Sequence, residues 1–132
     1  MAVIDASVWV SLLKENDKFH DKATAIVKSL ITKNERISIP AIALTEVAGV
    51  IKRTTQDREA AFDAVRSIKL MEPEILVNFD ELEPAATQIA VNYGIRGADA
   101  YYLAAADVTK SHLYTFDQQQ GNAFEEFSKT WR

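Results

Sequence analysis

The sequence contains no cysteine. Disulfide scaffolding, thiol nucleophiles and cysteine-containing zinc sites are therefore excluded. Histidine is almost as scarce: His20 and His112 are the two in 132 residues, too far apart in sequence for a histidine-rich metal site. There is no basic excess, since 15 lysines and arginines stand against 19 acids for a net charge of −4. A grip on nucleic acid by charge alone normally shows such an excess; without it, a bound cation has to reverse the local sign. No apolar run approaches the roughly 18 residues that span a bilayer. Met1 to Asp5 also lacks the basic and long apolar regions of a secretory signal. A soluble cytoplasmic protein with no membrane contact is the expectation.

What is present suits an ordinary folded protein, with 48% hydrophobic and 26% charged residues. That much apolar side chain excludes disorder as the main state. With three prolines, four glycines and no linker, repeat or low-complexity tract, one domain over residues 1–132 is expected.

Four β-like runs alternate with helical patterns, which predicts an α/β fold with a mainly parallel central sheet. The strands are expected at 2–5, 36–39, 74–78 and 112–116. Helical periodicity follows from Val8 to Leu13, from Asp17 to Lys33, after Pro40, and from Asp57 to Leu70. Pro40 suits a first helical turn, where a missing N–H costs nothing. Asp80 is placed to cap the next helix, with Pro84 near its first turn, and Gly94 closes it. A helix from Ala98 to about Thr109 and a short one from Asn122 to Lys129 complete the chain.

In open parallel sheets, ligands bind at the carboxyl ends of the strands. Asp5 closes the first strand and Asp117 follows the fourth. Asp99 falls in the first turn of the helix before that fourth strand, and Glu46 in the second turn after the second strand. Each has an ordinary explanation alone: Asp5 or Ser7 as a helix cap, Asp99 facing a helix dipole, Asp117 in an Asx-turn, Glu46 in solvent. Glu46 and Asp99, however, sit in apolar or small-residue surroundings, where an acid needs a partner. If the four converge they cannot partner one another, because like charges ~4 Å apart repel by about 4 kcal/mol at an effective dielectric of about 20. Either some hold protons or a cation neutralises them. All-oxygen donors favour Mg²⁺ or Mn²⁺, and Ca²⁺ less specifically, which makes phosphodiester chemistry the natural reaction.

Over essentially its whole length the sequence resembles the PIN-domain ribonucleases, and within them the VapC-type toxins of prokaryotic toxin–antitoxin pairs. The resemblance rests on Val3-Ile4-Asp5-Ala6-Ser7-Val8, Leu44-Thr45-Glu46-Val47, Gly97-Ala98-Asp99-Ala100 and Thr115-Phe116-Asp117, in that order. It implies a three-layer α/β/α fold and metal-dependent endoribonuclease activity. Asp5, Glu46, Asp99 and Asp117 match the family's acidic quartet, which binds Mg²⁺ or Mn²⁺. Asp5 and Asp99 are then direct ligands, Glu46 a ligand or the residue that positions water, and Asp117 acts through bound water. Ser7 and Thr115 match supporting hydroxyl residues. An RNA substrate, a small antitoxin protein and a homodimer are implied as partners. One departure is that Gln118-Gln119-Gln120-Gly121 stands where relatives often carry a further acid and an aromatic residue.

Arg96 is a candidate contact to RNA phosphate or a counter-charge to the acids, with a solvated loop position as its alternative. Lys52, Arg53 and Arg58 read better as a solvated helix end than as an RNA track. Trp9, Phe19 and Phe62 read as core or helix-contact residues, while Tyr101 and Tyr102 suit a subunit or antitoxin surface as well as a core. Three other functions compete. An aspartate-nucleophile phosphatase or receiver domain lacks its second acid, since Ser7 stands there, and its late lysine. A metal-independent ribonuclease built on His20 and His112 leaves the acids unexplained. A catalytically weak PIN-like binding module, or a non-toxin PIN nuclease in RNA processing, remains as the alternative to a toxin.

Overall fold

The computed structural model describes residues 1–76 and 79–131. Its elements are β1 (Ala2–Ile4), α1 (Ala6–Leu13), α2 (His20–Thr32), β2 (Ile37–Pro40), α3 (Ile42–Thr55), α4 (Arg58–Leu70), β3 (Glu74–Leu76), α5 (Phe79–Tyr93), α6 (Gly97–Thr109), β4 (His112–Tyr114) and α7 (Gln118–Ser128). The four strands form one sheet in the order β3-β2-β1-β4, and every pair is parallel. The α/β expectation therefore holds. From β1 the chain steps outward to β2 and β3, then returns to the opposite side of β1 to lay down β4. That reversal puts a switch point at the carboxyl ends of β1 and β4, the place where such sheets bind ligands.

The sheet is short-stranded, and its stability comes from what covers it. All of β1 and β2 is buried. Helix α6 packs on β1, β2 and β4, and it approaches closely because Ala100, Ala104, Ala105 and Ala106 are completely buried on it. Trp9 is also fully buried, and its indole N–H donates to the Ile4 carbonyl at 3.1 Å, which fixes α1 to the strand it follows. No described helix is long and apolar enough to cross a membrane.

Several boundaries shift for local reasons. Pro40 is not in a helical first turn; it ends β2, paired in register with Leu76 of β3, while β1 pairs with β2 only at Ile37 and Ser38. Its missing N–H is thus tolerated outside the β1–β2 ladder. Helix α2 starts at His20, because the Asp17 carboxylate accepts the Phe19 N–H at 2.9 Å and holds the preceding turn. Asp57 caps α4 through the Ala60 N–H. Helix α5 begins at Phe79, so Asp80 lies inside its first turn rather than at the cap position before it, and Pro84 lies inside the helix; the strand end expected at Val77 and Asn78 lies outside the described residues. Helix α7 begins at Gln118, four residues before the sequence pattern placed it, because Asp117 caps it by accepting the Gln120 N–H.

Candidate active site

Asp5 leaves β1 and immediately caps α1, so the carboxylate stands at the carboxyl edge of a central strand. It is only 5% exposed, and a buried carboxylate needs donors. The Ser7 hydroxyl supplies one at 2.6 Å and the Thr115 hydroxyl another at 2.9 Å, both to Oδ2. Each hydroxyl also accepts a backbone N–H from the segment after β4: Phe116 donates to Ser7 Oγ and Asp117 to Thr115 Oγ1, both at 3.0 Å. These bonds draw Thr115 and Phe116 out of the expected strand. They also tie the β4–α7 connection to Asp5, while none of them uses Asp5 Oδ1.

The other acids arrive from separate elements. Glu46 projects from α3, Asp99 from the first turn of α6 and Asp117 from the cap of α7. With Asp5, Ser7 and Gln120 they line one cleft of about 460 Å³ at the switch point. Burial raises the Glu46 carboxyl above its usual range; the Tyr102 hydroxyl opposes that, and the charges of Asp5 and Asp99 add to it. Burial likewise raises Asp99, with Asp5 repulsion next, Arg96 opposing and Asp117 adding. The acids therefore feel one another, and their charge is not balanced by the protein. Arg96, on the exposed rim, places Nε 3.8 Å from Asp99 Oδ2, the single ion pair to any of the four among the described residues.

Glu46 Oε1 and the Tyr102 hydroxyl are both buried and lie against each other, outside ideal hydrogen-bond geometry but near enough for the hydroxyl to favour the Glu46 carboxylate. Tyr102 is completely buried on α6 and so belongs to the core beside Glu46. Burial, then the Glu46 charge, pushes its hydroxyl upward, so it remains protonated. Among the described residues no group of three or more His, Asp or Glu is close enough together to hold a metal ion as it stands. The donor chemistry nevertheless fits a hard divalent cation: oxygen atoms only, on carboxyls raised by burial and by one another's charge.

The histidines do not form a rival site. His20 Nδ1 is occupied by the Ser11 carbonyl at 2.9 Å. His112 opens β4 opposite Ala2, at the far end of the strands from Asp5, and packs edge-on against Tyr114 and Phe124. Lys52, Arg53 and Arg58 are solvated, as expected.

Three cleft residues escaped the sequence reading. Gln120 is 2% exposed; it lies one residue inside a polar run that resembles a solvated loop. Asp17 lies on the wall of the cleft, with its carboxyl lowered first by the Phe19 N–H and then by Ser11; only its turn-forming residue type marks it in the sequence. Phe19, expected as a core or helix-contact residue, lines the cleft and is 38% exposed, and Phe62, expected likewise, is exposed as well.

Comparison with protein families matches residues 2–125 to the PIN domain. The chain belongs to the PIN-domain family. These domains are nucleases, and the fold of this one is similar to several solved structures. VapC20 of Mycobacterium tuberculosis, described as a toxin that cleaves the sarcin–ricin loop, superposes with a TM-score of 0.73 at 23% identity, covering 93% of this chain and 95% of that one. PAE2754 of Pyrobaculum aerophilum gives 0.66 at 18% identity, with 97% and 92% covered. FitAcB of Neisseria gonorrhoeae gives 0.59 at 19%, with 95% and 94% covered. Curated protein sequences yield no significant match.

Proposed function

We propose that this PIN domain is an endoribonuclease dependent on Mg²⁺ or Mn²⁺ and that it is the toxin of a type II toxin–antitoxin pair. The observation that carries the nuclease reading is the meeting of Asp5, Glu46, Asp99 and Asp117, from four separate segments, in one cleft at the sheet's switch point. The toxin role draws its support from the likeness to VapC20. With that role come a small antitoxin as partner, a homodimer and a cytoplasmic location.

Asp5 and Asp99 would hold the cation directly, with Glu46 and Asp117 completing its surroundings. When bound, a divalent ion activates water and neutralises charge on the scissile phosphate. The chain's own residues prepare the rest. Ser7 and Thr115 fix the Asp5 carboxylate through Oδ2 and leave Oδ1 outside those bonds. Glu46, which lines the cleft and is raised by burial, is suited to accept a proton from the attacking water. Arg96, exposed beside Asp99, is positioned to meet a substrate phosphate.

The test is cleavage of labelled cellular RNA by purified, antitoxin-free protein with Mg²⁺, with Mn²⁺, with EDTA, and as Asp99→Asn. Cleavage that requires the metal and Asp99 supports the reading. Cleavage that survives both EDTA and the substitution overturns it.

A further inference from the structure

One wall of the cleft is aromatic and basic rather than acidic. The Phe19 and Phe116 rings lie 5.0 Å apart, tilted by 31°, and both line the cleft that holds Asp5, Asp99 and Asp117. Lys18 Nζ sits 5.0 Å from the centre of the Phe19 ring, and Lys22 Nζ 5.6 Å from that of Phe116. Both lysines are exposed. A single exposed phenylalanine needs no explanation. Two rings in contact, each topped by an ammonium group and opening onto an acidic cleft, are a different matter.

We propose that the Phe19–Phe116 pair is a stacking subsite for one nucleobase of single-stranded RNA, with Lys18 and Lys22 taking the flanking phosphates. The proposal rests on the nuclease reading and names how the same cleft holds its substrate. An aromatic face accepts any base, and basic side chains beside it follow the backbone, which is how single strands are held without sequence reading. The protein's negative net charge makes such a patch necessary, because the carboxylates repel phosphate wherever no cation covers them. Exposed ammonium–ring contacts are weak, so Lys18 can leave the Phe19 ring for a phosphate when a base takes its place.

The platform is also fixed relative to the acids. The Phe116 N–H donates to Ser7 Oγ, which in turn donates to Asp5 Oδ2. The Phe19 N–H is held by Asp17. A stacked base would therefore be held in register with Asp5.

The experiment titrates Asp99→Asn protein, which prevents cleavage, into a single-stranded oligoribonucleotide carrying one 2-aminopurine. Binding with quenching of the 2-aminopurine is expected. Adding Phe19→Leu, which keeps an apolar side chain, should weaken binding about tenfold and remove the quench, while Phe19→Tyr restores both. Lys18→Ala with Lys22→Ala should weaken binding, flatten its salt dependence and leave the quench. Phe116→Leu serves as a second variant if Phe19→Leu does not fold, as judged by its melting curve. RNA binding and quenching indifferent to both phenylalanines overturn the subsite alone, and would leave the pair as a seat for a protein segment. Failure of the parent to bind RNA overturns the nuclease reading and the subsite with it.

Discussion

Gln120 reaches from α7 to the backbone of α6, where its Nε2 donates to the Asp99 carbonyl at 3.2 Å. Its Oε1 lies 3.5 Å from Thr115 Oγ1, and its own N–H holds Asp117 Oδ1 at 3.0 Å. The buried side-chain amide thus joins Asp99 to Thr115, the support of Asp5, while the backbone N–H of the same residue holds Asp117. Replacing it with Leu should lower Mn²⁺ affinity by about 10- to 100-fold, the usual cost of losing an outer partner of a metal site. Titration followed by electron paramagnetic resonance reads this directly. Affinity equal to wild type in a folded variant would remove Gln120 from the site.

Glu46 and Asp99 give the metal-free protein a definite pH dependence. Burial, with neighbouring carboxylates adding to it, raises both groups in the folded state. The folded protein therefore binds protons more tightly than the unfolded chain, and stability falls as pH climbs from the ordinary carboxylate range through the raised values. Glu46→Gln and Asp99→Asn should each flatten this slope and melt higher than wild type at neutral pH in EDTA. Melting curves from about pH 4 to pH 8 check it; variants that melt lower than wild type at neutral pH would contradict the electrostatic account.

A divalent cation should relieve the same repulsion. Ligand binding to the folded state adds about 2.7 kcal/mol at a hundred times its dissociation constant, so Mn²⁺ or Mg²⁺ should raise the melting temperature of the wild type. The rise should vanish in Asp5→Asn. A shift of equal size in that variant would place the ion elsewhere.

Thr115 donates to Asp5 Oδ2 and accepts from the Asp117 N–H. Thr115→Val keeps the shape and removes both bonds, and should cost about 1–3 kcal/mol, measurable by urea denaturation. Thr115→Ser should recover most of it. Equal stability of the Val and Ser variants would show that the hydroxyl contributes nothing.

Two glycines should answer alanine in opposite directions. At Gly49, inside α3, an added Cβ meets only the mobile end of Arg53, at 3.1 Å, so Gly49→Ala should stabilise by about 0.4–1 kcal/mol. Gly94 has φ +63°, a left-handed conformation, so Gly94→Ala should destabilise. Paired thermal melts decide both.

Much of the framework was legible in the residues because its causes are local. Alternating apolar runs and helical spacing placed most elements, and an acid directly after a strand marked Asp5 as a cap facing the sheet edge. The misses have physical causes as well. Gln118 to Gln120 look like a solvated loop until Asp117 caps them into a helix, which buries Gln120 and leaves Gln118 and Gln119 exposed. Tyr102 shares its residue type with interface tyrosines, and only the packing of α6 on the sheet buries it. Phe19 has core-like chemistry, yet the turn held by Asp17 leaves it at the mouth of the cleft.

By itself the sequence determined the α/β alternation and marked four acids near strand and helix ends as an all-oxygen candidate set, since these depend on residue type and short-range spacing. Tertiary structure decided which acids share a cleft. Local propensity contains no information about strand partners, and it was the return of the chain to the free side of β1 that brought Thr115 onto Asp5 across 110 residues. The same return packed α6 and α7 together. It buried Gln120 between Asp99 and Thr115 and set the Phe19–Phe116 pair beside the carboxylates.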